Sequence, residues 1–147
     1  MKTLEELVDI FELLDDWDQR YSFIIELGEQ LPAMPLCLKT DGNKVRGCMS
    51  QVWVSPYRTK GTPDRVSYHA DCDTPIIKGV LAILVQLLEN RTAQQIQQFD
   101  VDEFFTRLHL DENLSPNRHV GIYGIVDMLK QQALALDPAN NRLASAQ

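Results

Sequence analysis

The stretch from Ile76 to Leu88 constrains the fold most, because its residues are apolar on nearly every side of a helix. Thr74 is a favourable N-cap residue and Pro75 suits the first helical position, so the helix is expected to begin there. A helix without a polar face is buried on most of its surface. The rest of the chain must therefore fold around this helix.

The segment before this helix predicts two antiparallel strands. Gln51–Tyr57 and Arg65–Ala70 alternate polar and apolar residues, and the turn-forming stretch Lys60–Asp64 joins them. Pro56 indicates an edge strand, because proline lacks the N–H that an inner strand donates. A third strand is expected around residues 43–45. Since a two-stranded sheet is marginal alone, helices are expected to cover one of its faces.

Capping residues and apolar residues at helical spacing predict five further helices. They begin at or near Thr3, Asp16, Thr92, Asp102 and Ser115. The last helix is expected to run to about Leu136, and residues 137–147 are expected to fray. No repeat and no domain boundary is visible. Residues 1–147 are therefore predicted to form a single α+β domain.

The net charge and the length of the apolar runs indicate the partners and the cellular compartment to expect. A formal net charge of −7 disfavours nucleic acid as a partner, and no run of lysine or arginine offsets it. Met1 and Lys2 lead directly into glutamate-rich amphipathic sequence without a signal-peptide pattern. The longest apolar run, Val80–Val85, is far too short to span a bilayer. We therefore expect a cytoplasmic protein without a membrane partner, in which cysteines stay as thiols.

Several familiar chemistries lack their motifs in this sequence. The glycines form no phosphate-binding loop, and neither HExxH nor CxxC occurs. A Ser/His/Asp triad has no GxSxG elbow to support it. His69, His109 and His119 are far apart in the sequence, and each is expected to be an ordinary strand or loop residue rather than a metal ligand.

Cys48 is the cysteine with the most suggestive neighbours. Turn-forming residues precede it and a predicted strand follows, so it is expected at a loop tip. Gly47 permits a backbone conformation that other residues resist, or a close approach by another molecule. Lys44 and Arg46 supply positive charge, which favours the nucleophilic thiolate. The residues alone leave two interpretations open, a reactive thiol and a small buried hydrophobic residue.

The other two cysteines give weaker signals. Cys37 and Cys72 lie 11 and 24 residues from Cys48, and these spacings match no zinc or iron–sulfur ligand pattern. Asp71 and Asp73 flank Cys72, and their negative charge should raise the pKa of its thiol. Both cysteines are therefore predicted to be structural.

Four motifs, which occur in the same order as in the family, resemble the SufE/CsdE sulfur acceptors. The most specific is Gly47–Trp53, which contains Cys48. The others are the following segments: Trp17–Pro32, Asp73 with Ile76–Ala82, and Leu114–Arg118 with Gly121. The likeness covers about residues 3 to 136. It implies an α+β fold, with a small antiparallel sheet of about three strands and helices on one side, similar to iron–sulfur scaffold proteins of the NifU type.

The resemblance also implies a function. Members of this family accept sulfur from a cysteine desulfurase of the SufS/CsdA type and activate it. The pyridoxal phosphate belongs to that desulfurase, so this chain is expected to need no cofactor and no metal of its own. Cys48 matches the cysteine that carries the sulfur as a persulfide. A downstream acceptor, such as an iron–sulfur scaffold, then receives it, which makes the chain a transfer partner rather than a stand-alone enzyme.

The remaining predicted site residues surround Cys48. Arg46, Gly47 and Gln51 are assigned to the loop, and Asp73 and Arg118 to loop anchoring or partner contact. The sequence departs from the family pattern after Arg118, where His119 and Val120 stand in place of Ser-Gln. The alternative function is non-covalent, as an iron–sulfur scaffold or a regulatory partner of the desulfurase.

A persulfide is readily lost to stray thiols or oxidants. Cys48 is therefore expected to rest against the apolar sheet in the free protein, in the setting of Val45, Val52 and Trp53, and to swing out when a partner docks.

Overall fold

The predicted α+β class is confirmed, and the sheet is antiparallel with three strands. The structure, a computed structural model, describes residues 3–137. Its helices are α1 (Leu4–Leu13), α2 (Trp17–Glu29), α3 (Pro75–Leu88), α4 (Ala93–Gln97), α5 (Val101–Arg107), α6 (Leu110–Asn113) and α7 (Pro116–Leu136). Its strands are β1 (Val52–Thr59), β2 (Thr62–Cys72) and β3 (Arg91–Thr92). Two short 3-10 helices, Leu36–Leu38 and Asp41–Asn43, lie between α2 and β1. Apart from Asp137, the predicted frayed tail lies outside the described residues.

Helix α3, the apolar helix that most constrains the fold, forms as predicted and lies at the centre of the core. Pro75 is its first residue, and the helix ends at Leu88. One side of α3 packs against α2 and another against β2, while α7 packs against β1. Val52, Val54, Val66, Tyr68 and Ala70 turn one face of the sheet towards these helices. The prediction that helices cover one face is therefore correct.

The strand order is β1-β2-β3, with β1 at the edge as Pro56 indicated. The register runs from Val52 opposite Cys72 to Arg58 opposite Val66. A tight turn at Lys60 and Gly61 joins β1 to β2, and Gly61 has a φ of +84° that favours glycine. The hairpin is therefore longer than predicted, because the strands continue into the stretch assigned to the turn.

The predicted position of the third strand is wrong. Residues 43–45 make one isolated bridge, between Lys44 and Trp53, and the backbone N–H of Val45 donates to Val52 O. The 3-10 turn before and the Gly47 turn after leave no room for a longer extended segment. β3 instead follows Asn90, whose φ of +58° redirects the chain after α3.

Most of the predicted capping residues form the expected hydrogen bonds at the starts of their helices. Thr3, Asp16 and Ser115 each accept a hydrogen bond from the backbone N–H three residues later. Thr92 and Gln95 form a complete capping box. Thr74 stands at the N-cap position of α3, but its hydroxyl bonds elsewhere. Within residues 3–137 no helix is both long and apolar enough to cross a membrane.

Candidate functional site

Cys48 lies on a short loop whose two ends are fixed to the sheet. The backbone N–H of Val45 donates to Val52 O at 2.8 Å, which closes the base of the loop. Gly47 has a φ of +82°, and a Cβ there would meet no atom within 4 Å. Glycine is therefore required by the backbone conformation and not by crowding. This geometry agrees with the predicted role of Gly47 as the turning point before Cys48.

Asp73 holds the other end of the loop through a reciprocal pair of hydrogen bonds. The N–H of Gln51 donates to Asp73 Oδ1 at 3.0 Å, and the N–H of Asp73 donates to Gln51 O at 3.1 Å. The hydroxyl of Thr74 also donates to Asp73 Oδ1, and it lies 2.7 Å from the hydroxyl of Ser50. The structure thus gives Asp73 the anchoring contact that was one of its two predicted roles.

The sulfur of Cys48 is half-buried and packs against helix α7. A Cβ on Gly121 would lie 2.8 Å from Cys48 Sγ, so the thiol occupies the space that the side chain of any other residue at position 121 would need. Cys48 also packs against the hydrophobic core. The sulfur therefore lies against α7, whereas the sequence pointed to the apolar sheet, and shelter of the thiol from reagents stays a prediction.

An open groove of about 420 Å³ lies beside Cys48. Its lining comprises Cys48, Met49, Ser50, Thr74, Ile77, Ser115, Asn117 and Arg118. Two helices begin here, α3 after Thr74 and α7 after Ser115. The N-terminus of a helix carries partial positive charge and unpaired N–H groups. Together with the guanidinium of Arg118, these termini make the groove favourable for an anionic sulfur.

The cations that the sequence placed near Cys48 do not line its groove. Lys44 and Arg46 line a different groove, which they share with Asp41, Gly124 and Asp127, and their effect on the thiolate stays a prediction. Arg46 is exposed, so it remains available to a partner. The cation that lines the Cys48 groove is Arg118. It lies 70 positions further along the chain, too far for sequence spacing to place it beside the thiol.

The structure also places the other two cysteines and His119. Cys37 is exposed in the first 3-10 helix, and Cys72 is buried at the end of β2. Burial raises the pKa of Cys72 to about 11, with Asp73, Cys48 and Asp71 adding to the rise. Within residues 3–137 no group of three or more His, Cys, Asp or Glu side chains could hold a metal ion. His119, one of the departures from the family pattern, bonds to Leu110 O.

Replacing Asp73 with alanine is expected to raise the alkylation rate of Cys48 in the native protein about fivefold to tenfold. The change removes the carboxylate that fixes Gln51, and a hydrogen bond to a charged group contributes roughly 1.5 kcal/mol. The rate is measured with a bulky thiol reagent in a Cys37→Ser background. Asp64→Ala, an exposed carboxylate at the far end of β2, is the matched control. Equal rates for both variants would show that Asp73 does not restrain the loop.

Replacing Gly121 with alanine is expected to expose Cys48 without unfolding the protein. The new methyl group overlaps the sulfur, so the loop must shift outward, and about 1 kcal/mol of lost packing corresponds to a roughly fivefold faster alkylation. Gly42→Ala is the matched control, since its Cβ would meet no atom nearer than Thr40 Oγ1 at 3.8 Å and would not touch the Cys48 loop. If Gly121→Ala left the rate of Cys48 alkylation unchanged, α7 would not shelter the sulfur.

The fold and the site together define a class: a small α+β protein that presents a cysteine on an anchored loop between two helix N-termini. The family model described as "SufE: Fe-S metabolism associated domain" matches residues 5–133. The chain therefore belongs to the SufE family, as its motifs predicted.

Similar proteins agree with this assignment. An uncharacterized SufE-like protein of Rhizobium meliloti (strain 1021) is 34% identical over 140 residues, which cover 95% of this chain and 100% of the relative. A second, from Rhizobium etli, is 37% identical over 135 residues, covering 90% of each chain. The solution structure of a hypothetical protein from Thermus thermophilus has a TM-score of 0.72, with 18% identity, over 90% of this chain and 94% of that one. That structure bears on the fold alone.

Proposed function

We propose that this protein is the sulfur acceptor and activator of a cysteine desulfurase that uses pyridoxal phosphate. The observation that carries the proposal is the setting of Cys48. Its thiol is half-buried on a loop that has the Gly47 turn at one end and the hydrogen bonds between Gln51 and Asp73 at the other. A carrier needs such an arrangement, because the sulfur must be sheltered between reactions and presented during them. Membership of a family associated with iron–sulfur metabolism supports the same function.

The transfer step is a thiol–disulfide type exchange. The Cys48 thiolate attacks the outer sulfur of the desulfurase persulfide, and a new S–S bond forms on Cys48. The old S–S bond breaks, and the desulfurase cysteine leaves as a thiolate. No oxidant is consumed. Removal of the sulfur returns the desulfurase to its starting state, which is how an acceptor activates it. Pyridoxal phosphate takes part only in the earlier step on the desulfurase.

The residues around Cys48 have distinct functions in this scheme. Gly47 and the Gln51–Asp73 pair define the segment that moves. Arg118 and the N-termini of α3 and α7 stabilise the negative charge on the sulfur before and after transfer. Arg46, exposed on the loop, contacts the partner.

A surface for docking lies next to the thiol. Met49 has 84% of its surface exposed and Val120 has 59%, although both are apolar. Met49 follows Cys48 in the loop, and Val120 precedes Gly121 in α7. Exposed apolar residues beside a reactive group are typical of a protein interface. Docking of the desulfurase on this surface covers Met49 and draws the loop outward. Val120, which departs from the family pattern, then helps to determine which desulfurase is accepted.

The experiment is an intact-mass measurement after incubation with a cysteine desulfurase and free cysteine, without reductant. The expected result is the added mass of one or more sulfur atoms, mapped to Cys48 and reversed by reductant. No added mass, with desulfurases of both the SufS and the CsdA type active in the same mixture, would overturn the proposal. A second incubation with an iron–sulfur scaffold tests it as the downstream acceptor: the sulfur should leave Cys48.

The alternative is a non-covalent function, as an iron–sulfur scaffold or as a regulatory partner. A scaffold would bind a cluster through several cysteines and develop cluster absorbance on reconstitution. A regulatory partner would stimulate the desulfurase without gaining mass. The position of the thiol favours the covalent proposal, because neither alternative requires a half-buried cysteine on a loop that is anchored by hydrogen bonds.

A further inference from the structure

Cys72 is a buried nucleophile that the proposed transfer does not use. It is the last residue of β2, with 5% of its surface exposed. Its sulfur lies 3.4 Å from the backbone nitrogen of Thr74 and 3.7 Å from the carbonyl oxygen of that residue. Thr74 in turn lines the groove of Cys48, and its hydroxyl is bonded to Ser50. A single residue therefore separates the Cys72 sulfur from the groove that holds the carrier thiol.

Cys48 and Cys72 lie at the same end of the β1–β2 hairpin. Negative charge on Cys48 is one of the causes that raise the pKa of Cys72. The backbone gives the same picture, because Cys72 lies opposite Val52, four residues after Cys48. The intervening loop is held by the Gln51–Asp73 pair, whereas Cys72 is fixed in β2.

We propose that Cys72 is a resolving thiol, which forms a disulfide with Cys48 and expels sulfide when a persulfide has not been passed on. The inference rests on the proposed function, since it concerns the fate of the sulfur that Cys48 carries. It gives this chain a second reaction of the same site, one that discharges the carrier and blocks it until a reductant restores the thiols.

The reaction balances without any added oxidant. The Cys72 thiolate attacks Cys48 Sγ, the inner sulfur of the persulfide. The bond between Cys48 Sγ and the outer sulfur breaks, and the outer sulfur leaves as hydrosulfide. The proton that Cys72 gave up ends on the departing sulfide or in water. The outer sulfur is reduced, and the two cysteine sulfurs end as a disulfide. An unstrained disulfide needs Cα atoms about 4.4–6.8 Å apart, so the proposal requires the Cys48 loop to move to within that distance of Cys72.

The surroundings of Cys72 make this reaction slow at neutral pH. A pKa of about 11 leaves about one molecule in ten thousand with a thiolate at pH 7, and only the thiolate attacks. Below this pKa the rate should rise about tenfold for each pH unit, because the thiolate fraction does so. The titratable groups that act on Cys72 are Asp71, Asp73 and Cys48. Asp71 is paired with Lys39 and Lys78. Arg118 lines the neighbouring groove. Resolution is therefore expected to matter only when no acceptor is docked.

The first arm of the test follows sulfide release from the loaded protein. A Cys37→Ser variant is loaded with sulfur by the desulfurase, freed from it, and followed by intact mass and sulfide assay between pH 7 and 9. The expected product has lost the added sulfur of the loaded protein and is two hydrogens lighter than the reduced protein, with the disulfide mapped to Cys48 and Cys72. In Cys72→Ala or Cys72→Ser the persulfide should last at least tenfold longer. Equal sulfide release with and without Cys72 overturns the inference, while the persulfide itself upholds the proposed function.

The second arm does not depend on any persulfide. Diamide, a thiol oxidant, is added to the unloaded native Cys37→Ser variant, and the products are mapped. A disulfide between Cys48 and Cys72 in the native protein supports the pairing. Absence of this disulfide in the native protein, when the urea-unfolded chain forms it, overturns the pairing even if loading by the desulfurase fails. Using both alanine and serine at position 72, with thermal unfolding of each, ensures that a folded variant is compared.

Discussion

Cys48→Ser is expected to abolish sulfur loading completely while leaving the fold and the docking of the desulfurase intact. A serine hydroxyl is not ionised at neutral pH and cannot displace a thiolate from a persulfide, so no slower covalent route remains. The side chain is slightly smaller than cysteine, and its position beside Gly121 leaves room for it. Intact mass after incubation with desulfurase and cysteine measures the loss, and co-migration with the desulfurase measures docking.

Cys37→Ser is the matched control for this experiment. The same chemical change is made at an exposed cysteine in the 3-10 helix Leu36–Leu38, away from the groove. This variant should load sulfur at the rate of the unchanged protein. If Cys48→Ser still stimulated the desulfurase to the full extent, the regulatory alternative would be correct and the covalent step would be dispensable.

Gly79→Ala is expected to have the largest effect on stability, a loss of about 3 kcal/mol in the free energy of unfolding. Gly79 lies where α3 crosses α2, and an added Cβ would lie 2.1 Å from the carbonyl oxygen of Ile24. Because the obstructing atom belongs to the backbone, the two helices must separate. Alanine is preferred over glycine within a helix by about 1 kcal/mol, which reduces the loss without cancelling it. Gly28, on the facing helix, completes the close approach.

Urea unfolding followed by circular dichroism gives the value directly, and the melting temperature should fall by about 10 °C. Gly42→Ala is the control, because an added Cβ there meets no atom nearer than Thr40 Oγ1 at 3.8 Å. Its free energy of unfolding should stay within about 0.5 kcal/mol of the unchanged protein. A Gly79→Ala variant as stable as this control would mean that α2 and α3 are not packed backbone to backbone.

The sequence predicted the elements whose signals are local. Pro75 and the apolar residues after it specify α3, and Ser115 with Pro116 specifies the start of α7. β3 escaped prediction because two residues, Arg91 and Thr92, are too few to show a period. α6 escaped for a similar reason, since its four residues follow a left-handed His109 with a φ of 55°. Short elements depend on contacts made by the rest of the chain.

The site divides in the same way. The thiol at Cys48 and the turn at Gly47 could be inferred from adjacent residues. The contact of Cys48 with Gly121 could not, because 73 positions separate them and only the packing of α7 brings them together. The hydroxyl of Thr74 illustrates a competition between local and distant partners. At an N-cap position it was expected to bond within its own helix, but the carboxylate of Asp73 and the hydroxyl of Ser50 hold it instead.

The outer edge of β1 has a consequence for how the protein behaves at high concentration. In an antiparallel strand every second residue turns its N–H and C=O away from its partner strand, and here these residues include Val52, Val54 and Pro56. Val45 occupies the carbonyl of Val52, Gln132 donates to that of Val54 at 2.9 Å, and Pro56 has no N–H to offer. These residues therefore offer a second chain fewer free backbone groups than a bare strand edge would, which disfavours edge-to-edge pairing of two copies at high concentration.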